Sequence, residues 1–308
     1  MSSVAEWSAV TKRYRGVTAV ENVSLRLEAG EATALVGHNG AGKTTLIKLL
    51  LGLIRPNDGN VRISGIDPAG RRGAKARRAV GFLPESVAFH DAMTGHELMA
   101  FYARLKGESS KRNADLLARV GIADAAHRRV ATYSKGMRQR LGIAQALIGD
   151  PQLLLFDEPT SGLDPASRRD VYEMVDTLRE GGATVLISTH ALAEVEDRVE
   201  RVAIMHGGSL LAAGKLAELR HGVDADVRMR LRVQRCTTSQ VLAQLPVEAR
   251  CTERSDDALT LSVAPAAKME TLRAIALTGG LVEDVEITVP GLQELYAHLV
   301  GGAAEVPA

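Results

Sequence analysis

The chain has 308 residues and a mass of 32.8 kDa, enough for one large or two ordinary domains with full hydrophobic cores. Lys plus Arg total 38 against 37 for Asp plus Glu, so no field of one sign marks a nucleic-acid or anionic-membrane binder. Aromatic residues at 3% exclude base-stacking platforms, and two cysteines, Cys236 and Cys251, exclude a disulfide scaffold or a Cys-rich zinc module.

In chain order, residues 4–10 and 17–27 read as strands around a turn at Arg15-Gly16. No apolar leader precedes them, and nowhere do about 18 apolar residues run together, so a cytosolic chain without a membrane span is expected. Residues 32–36 form a short buried strand, followed by a Gly-rich turn and an apolar helix over 43–52. Short strands are expected at 61–64 and 80–83. From Thr94 to about Leu147 the apolar spacing is helical. The runs 153–156 and 185–188 suit parallel strands covered on both faces. Helices are expected at 165–178 and 191–199.

The character changes near residue 223, which places a domain boundary at 222/223. Residues 227–233 alternate apolar and basic, as a strand with one solvated face does. Strands at 259–263 and 285–289, a helical stripe from Met269 to Ala276, and a last helix at 292–300 follow. The tail 301–308 reads as frayed. Residues 223–308 are thus expected to form a small α+β domain. Arg228, Arg230 and Arg232 read as a solvated strand face or a nucleic-acid contact.

The chemistry concentrates at three places. Gly37-His38-Asn39-Gly40-Ala41-Gly42-Lys43-Thr44 fits G-x-x-x-x-G-K-[ST] between a strand and a helix. Its glycines let backbone N–H groups wrap a phosphate, Lys43 reaches the β- and γ-phosphates, and Thr44 offers a hydroxyl to Mg²⁺. The buried strand at 153–156 ends in Asp157 and Glu158. Asp157 suits Mg²⁺ through water, and Glu158 can take a proton from an attacking water. His190 follows a third strand end, where ligands of such sheets bind.

The ordered set Tyr14, GHNGAGKTT (37–45), YSKGMRQR (133–140), LLLFDEPTSGLD (153–164) and STH (188–190) resembles the nucleotide-binding subunits of ABC transporters over about residues 4–220. The resemblance implies an α/β P-loop ABC ATPase domain at 1–222, with a RecA-like core, an antiparallel β subdomain and a helical subdomain. Residues 223–308 would follow as an accessory domain that supports dimers. It implies ATP and Mg²⁺ as cofactors, with Thr45 closing the phosphate loop. Tyr14 matches the aromatic that stacks on adenine, or is a core tyrosine. Ser134 and Gly136 match the signature loop that contacts the ATP held by a second copy. Asp164 matches the loop coupling the two sites, Glu158 the general base, and His190 the γ-phosphate switch. Two copies would sandwich two ATPs head to tail.

The signature departs from LSGGQ, with Lys135 and Met137 at Tyr133-Ser134-Lys135-Gly136-Met137. Glu85 stands where the family carries an Mg²⁺-contacting glutamine, so a third metal contact and slow basal turnover are expected. The resemblance also implies a separate membrane permease, docked on the segment 86–150 that carries His90, His96, Phe101 and Tyr102. The chain would lie on the inner face of the cytoplasmic membrane through that permease. Residues 83–107 look most like the ATPase of nitrous-oxide-reductase maturation transporters, which implies a copper-enzyme pathway and a periplasmic partner protein. Exporters of drugs, lipids or polysaccharides remain alternatives, and so does a soluble ABC ATPase acting on ribosomes or DNA. The two cysteines read as idle thiols rather than copper ligands, and no nucleic-acid partner is expected.

Overall fold

Strands β1 (Ser3–Tyr14) and β2 (Val17–Glu28) pair antiparallel, with alternate residues buried. On β1, Ala5 and Trp7 face inward, and a bulge at Ala9 (φ 49°) returns Val10 to the same face. After β3 (Ala32–Val36) comes α1 (Lys43–Leu50), and then β4 (Asp58–Ile63), which completes the three-stranded sheet β2-β1-β4. Trp7 joins this sheet to α1. Its ring is buried, and its Nε1 donates to the Leu46 carbonyl at 3.2 Å. The helix after the loop 37–42 is thus anchored to the β2-β1-β4 sheet. The computed structural model describes residues 3–222, 226–288 and 291–304.

A short helix α2 (Gly73–Arg78) leads into β5 (Val80–Leu83). A helical group follows: α3 (Gly95–Lys106), α4 (Asn113–Arg119) and α5 (Lys135–Ala146). A capping box starts α3, in which Thr94 and Glu97 satisfy each other's backbone N–H groups. These bonds hold the exposed Glu97 carboxyl below its ordinary value. Tyr133, just before α5, is buried and donates to the Ala125 carbonyl at 2.7 Å, and burial raises its phenol.

The strands β6 (Leu153–Asp157) and β7 (Thr184–Thr189) flank α6 (Pro165–Glu180), and α7 (Leu192–Val195) precedes β8 (Arg201–His206) and β9 (Ser209–Lys215). They build a six-stranded sheet in the order β5-β6-β7-β3-β8-β9. All pairs are parallel except β8 with β9. Every residue of β3, β6 and β7 is buried, because both sheet faces are covered.

The chain divides between Lys215 and Leu216, seven residues before the expected 222/223, because α8 (Leu216–Gly222) belongs with the second unit. There, β10 (Val227–Val233), α9 (Thr238–Gln244), β11 (Ala249–Arg254), β12 (Ala258–Val263), α10 (Lys268–Ala276) and β13 (Val282–Thr288) form a split β-α-β arrangement, and α11 (Leu292–Ala304) follows. Its sheet is β11-β12-β10-β13, antiparallel throughout. Met229, Leu231, Leu259 and Leu261 make its core. Arg228, Arg230 and Arg232 lie exposed on β10, and Arg232 pairs with Glu283 and Asp284.

Some expectations need correction. The helix at 191–199 shrinks to α7, because Arg198 N–H bonds the Val195 carbonyl at 3.0 Å and tightens the chain into a turn. The hairpin β8–β9 has no counterpart among the elements expected from sequence, although Gly207-Gly208 between two apolar runs is a hairpin signal. Strand β11 is an exposed edge with only Ala249 buried, so no alternation marked it. The strand expected at 285–289 begins at Val282, and residue 289 lies outside the described residues. The last helix runs on to Ala304, and residues 305–308 of the expected tail also lie outside them. Among the described residues no helix is long and apolar enough to cross a membrane.

Candidate functional site

The order β6-β7-β3 sets three strand ends side by side, and register fixes their height. Val36 pairs with Thr189, and Asp157 with Ser188. The loops leaving these three strands therefore meet in one place, at the carboxyl edge.

From β3 comes the loop 37–42. Gly42 caps α1 with φ 104°, and a Cβ there would lie 2.6 Å from the Ala19 carbonyl oxygen. Only glycine fits that position. The hairpin turn after β8 braces the loop from below: Gly208 N–H bonds the Ala41 carbonyl at 3.2 Å, and the His206 ring packs edge-on to His38 at 4.9 Å. Lys43 is buried, and its Nζ donates to Gly37 O at 2.6 Å and stands 3.3 Å from Glu158 Oε1.

From β6 come the two carboxylates. Asp157 is buried, and its Oδ2 accepts from Thr44 Oγ1 at 3.2 Å while Oδ1 accepts from Ser188 Oγ. Glu158 adopts the left-handed region (φ 48°), a cost of order 1 kcal/mol for a non-glycine residue. Two bonds hold it there: its N–H donates to the Ser188 carbonyl at 3.1 Å and to Ser188 Oγ at 3.0 Å. Its carboxylate is 10% exposed and lies between Lys43 on Oε1 and His190 Nδ1, 2.9 Å from Oε2. His190, after β7, is more than half exposed. Strain held by a buried network is a mark of a functional position.

A cleft of about 490 Å³ opens over these groups. Its walls include His38 to Thr45, Tyr14, Glu85, Glu158 and His190. Tyr14 stands 43% exposed at the rim rather than in the core, and Lys12 Nζ lies 5.2 Å from its ring centre. Glu85 is exposed and also lines the cleft. Asp157 and Gly37 lie beneath the surface, each bonded to a residue of the wall. The oxygen-only set of Thr44 and Asp157 fits a hard cation such as Mg²⁺. Ser188 is the member that sequence reasoning missed, since a serine inside a buried strand reads as filler. Ser161 and Ala19 also line the cleft without having been expected.

Ser134, Gly136 and Asp164 are not among the described residues that line the cleft. They form a second group. Ser134 caps α5 by accepting from Met137 N–H at 3.2 Å, so Met137 supplies only its backbone here. Asp164 caps α6 and accepts from Ala166 N–H, Ser167 N–H and Ser167 Oγ at 3.1, 3.0 and 2.6 Å. The Ser167 bonds hold its exposed carboxyl below the ordinary aspartate value. A Cβ on Gly136 would lie 3.0 Å from Ser167 Oγ, so the two caps adjoin. The Lys135 ammonium folds back onto Gly162 of the same chain. In the helical group, Phe101 and Leu105 are exposed and Tyr102 packs edge-on to both Phe89 and Phe101.

Comparison with known proteins shows the family and the fold. A family model described as "ABC transporter" matches residues 20–161. The linearmycin resistance ATP-binding protein LnrL of Bacillus subtilis (strain 168) is 31% identical, over 95% of this chain and 96% of its own length. The daunorubicin/doxorubicin resistance ATP-binding protein DrrA of Streptomyces peucetius is 34% identical, over 97% and 93%. A solved structure titled as the ATP binding subunit of an ABC transporter superposes with a TM-score of 0.65 at 31% identity, covering 71% of this chain and 93% of that one.

Proposed function

The chain belongs to the ABC transporter family as an ATP-hydrolysing subunit with the ABC ATPase fold, and we propose that it drives export of a drug-like compound through a separate membrane permease. The observation that carries the chemistry is Glu158, buried in a strained backbone between Lys43 and His190. Likeness over nearly the whole of two drug-resistance ATP-binding proteins, second unit included, supports the export reading.

In this reading the amides of loop 37–42 and the N-terminus of α1 bind the triphosphate. Lys43 turns from Gly37 and Glu158 to the β- and γ-phosphates. Tyr14 stacks on the adenine. Thr44 and Asp157 would hold Mg²⁺, with Glu85 in the lining of the same cleft. That ion, when bound, offsets charge on the phosphate oxygens. Thr44 and Asp157 would supply the protein oxygens to that ion, and the nucleotide phosphates would be its other natural ligands. Glu158 orients a water in line with the γ-phosphate and takes its proton. His190, on the other oxygen of Glu158, holds that carboxylate in place and reads the γ-phosphate.

Ser134, Gly136 and Asp164 serve a second copy of the chain. Two copies pack head to tail, so that each cleft is closed by the other's signature loop. The second unit supports that dimer; a deletion that leaves dimerisation and turnover intact would count against this role. The permease holds the chain on the cytoplasmic face of the membrane, with the exposed Phe101 and Leu105 of α3 as docking surface. A second reading, maturation of nitrous oxide reductase with a periplasmic partner protein and copper, rests on the segment 83–107 alone.

The test is a tagged pull-down from detergent-solubilised membranes of the native host, with ATPase activity measured on the eluate. A multi-span permease whose deletion sensitises cells to a drug supports export. Co-purification of a periplasmic copper-enzyme assembly factor favours the second reading. Recovery of ribosomes or DNA-repair proteins without a permease overturns both.

A further inference from the structure

A polar cluster between the loop 158–164 and α7 takes no part in the reaction above. Its hub is Glu194, four residues after His190. Glu194 Oε2 accepts hydrogen bonds from Thr160 Oγ1 at 3.2 Å and Tyr172 OH at 3.1 Å. Its Oε1 accepts from Arg168 Nη1 at 2.8 Å, and Arg168 Nε donates to the Leu163 carbonyl at 2.8 Å. Thr160 and Tyr172 are 6% and 3% exposed, so water does not compete for their hydroxyls. Burial first, and the Glu194 charge beside it, push the Tyr172 phenol up to about 12. It therefore remains a donor at any working pH.

The places of these residues in the chain give the cluster its meaning. Thr160 lies two residues after Glu158, and Leu163 is the residue before Asp164. Glu194 lies on the short helix that follows His190. One carboxylate thus ties together the loop carrying the water-activating group, the loop's far end at the dimer cap, and the segment carrying the switch histidine.

We propose that Glu194 is a positioning residue for ATP hydrolysis: through Thr160 and Arg168 it fixes the loop 158–164 against the helix after His190. This rests on Glu158 acting as the base. Glu158 holds an unfavourable backbone conformation, so its loop needs more than one anchor. Ser188 supplies one at the strand end, and Glu194 supplies the other two residues later. A displacement of about 1 Å at a reacting group costs roughly 100-fold in rate. A merely structural Glu194 would instead lower the melting temperature and leave turnover alone.

The test uses the purified full-length chain, assayed well below the melting temperature of every variant. Glu194→Ala is expected to lower kcat by about 10- to 100-fold while KM for ATP stays within about twofold. Glu194→Gln, which keeps an acceptor for the hydroxyls but loses the charge on Arg168, is expected to lose less, about 3- to 10-fold. It carries the comparison if the alanine variant does not fold. Thr160→Val removes one hydroxyl at constant shape and is expected to lower kcat as well. The double variant Thr160→Val/Glu194→Ala is expected to be no slower than Glu194→Ala alone, since both act through one contact. Unchanged kcat in the Glu194 variants overturns the proposal, and so do Thr160 and Glu194 effects that simply multiply. Glu158→Gln, assayed alongside, separates the two claims. If it keeps wild-type turnover, the reading of the base fails and this proposal with it. If it loses turnover while Glu194→Ala does not, only the present proposal fails.

Discussion

The two groups of site residues in the first unit are built in opposite ways. Around Glu158 every charge is answered within the chain: Lys43 and His190 hold its oxygens, and Thr44 and Ser188 hold Asp157. Ser134 and Asp164 are exposed, accept hydrogen bonds from the first turns of the helices they cap, and are not among the described residues that line the cleft. A buried, strained network of ion pairs and hydrogen bonds holds its carboxylates in place for chemistry. In the proposed reading, the exposed pair of helix caps is surface left for a second copy. This difference then corresponds to a reaction prepared in one copy and completed by another.

The strongest way to break this contrast is at its buried end. Glu158→Gln is expected to cut phosphate release by about 10²- to 10⁴-fold while ATP binding persists, because the amide cannot take the water's proton. Retained turnover would remove Glu158 from that role. Lys43→Ala is expected to fail differently. It removes the cation for the phosphates and leaves Glu158 buried without its ion pair, so nucleotide affinity and turnover fall together, each by about tenfold or more. Equilibrium binding of a fluorescent ATP analogue would show it, and unchanged affinity would contradict the phosphate-loop assignment.

At the exposed end Ser134→Ala is expected to cost about 1 kcal/mol of stability as a lost helix cap. If the loop serves a second copy, it also lowers turnover about ten- to hundredfold with single-chain ATP affinity intact. Loss of stability without loss of turnover would reduce Ser134 to a cap. A smaller effect concerns Glu85, which adds a negative charge to the lining of the cleft. Glu85→Gln is expected to raise turnover about twofold at low salt, with the gain shrinking as salt screens it.

The smallest effect is a pH dependence at Asp164. Its folded pKa lies below the ordinary 3.8, so its contribution to stability is present above that value. It is lost as pH falls through the lower folded value. Thermal unfolding followed from pH 6 downward is expected to steepen in the acid limb for the wild type. Asp164→Asn keeps an uncharged acceptor and flattens that limb; equal slopes would show that the cap carries no charge preference.

Most of the cleft was legible in the sequence because its chemistry leaves little choice. A loop that wraps phosphate needs glycines at fixed spacing, and a strand that delivers carboxylates to a sheet edge must be apolar up to its last residues. Ser188 and Glu194 were not legible. One is a small polar residue inside a buried strand, and the other an acid on a short helix among other acids, and neither spacing announces partners 22 to 34 residues away. The fold shows the same limit. Strands buried on both faces stand out as continuous apolar runs, as at 153–156. The edge strand β11, with one buried residue, carries no pattern to find. The β8–β9 hairpin did carry a signal, and it matters to the site because its turn braces the phosphate loop.

The most direct test of completion by a second copy is hydrogen exchange on the Glu158→Gln chain, with and without MgATP, at two protein concentrations. The expected result is protection of residues 37–45 at both concentrations. Protection of residues 133–137 is expected only at the higher one, where copies associate. Protection confined to 37–45 at any concentration, with ATP bound, would contradict the account and leave Ser134 and Gly136 outside the reaction.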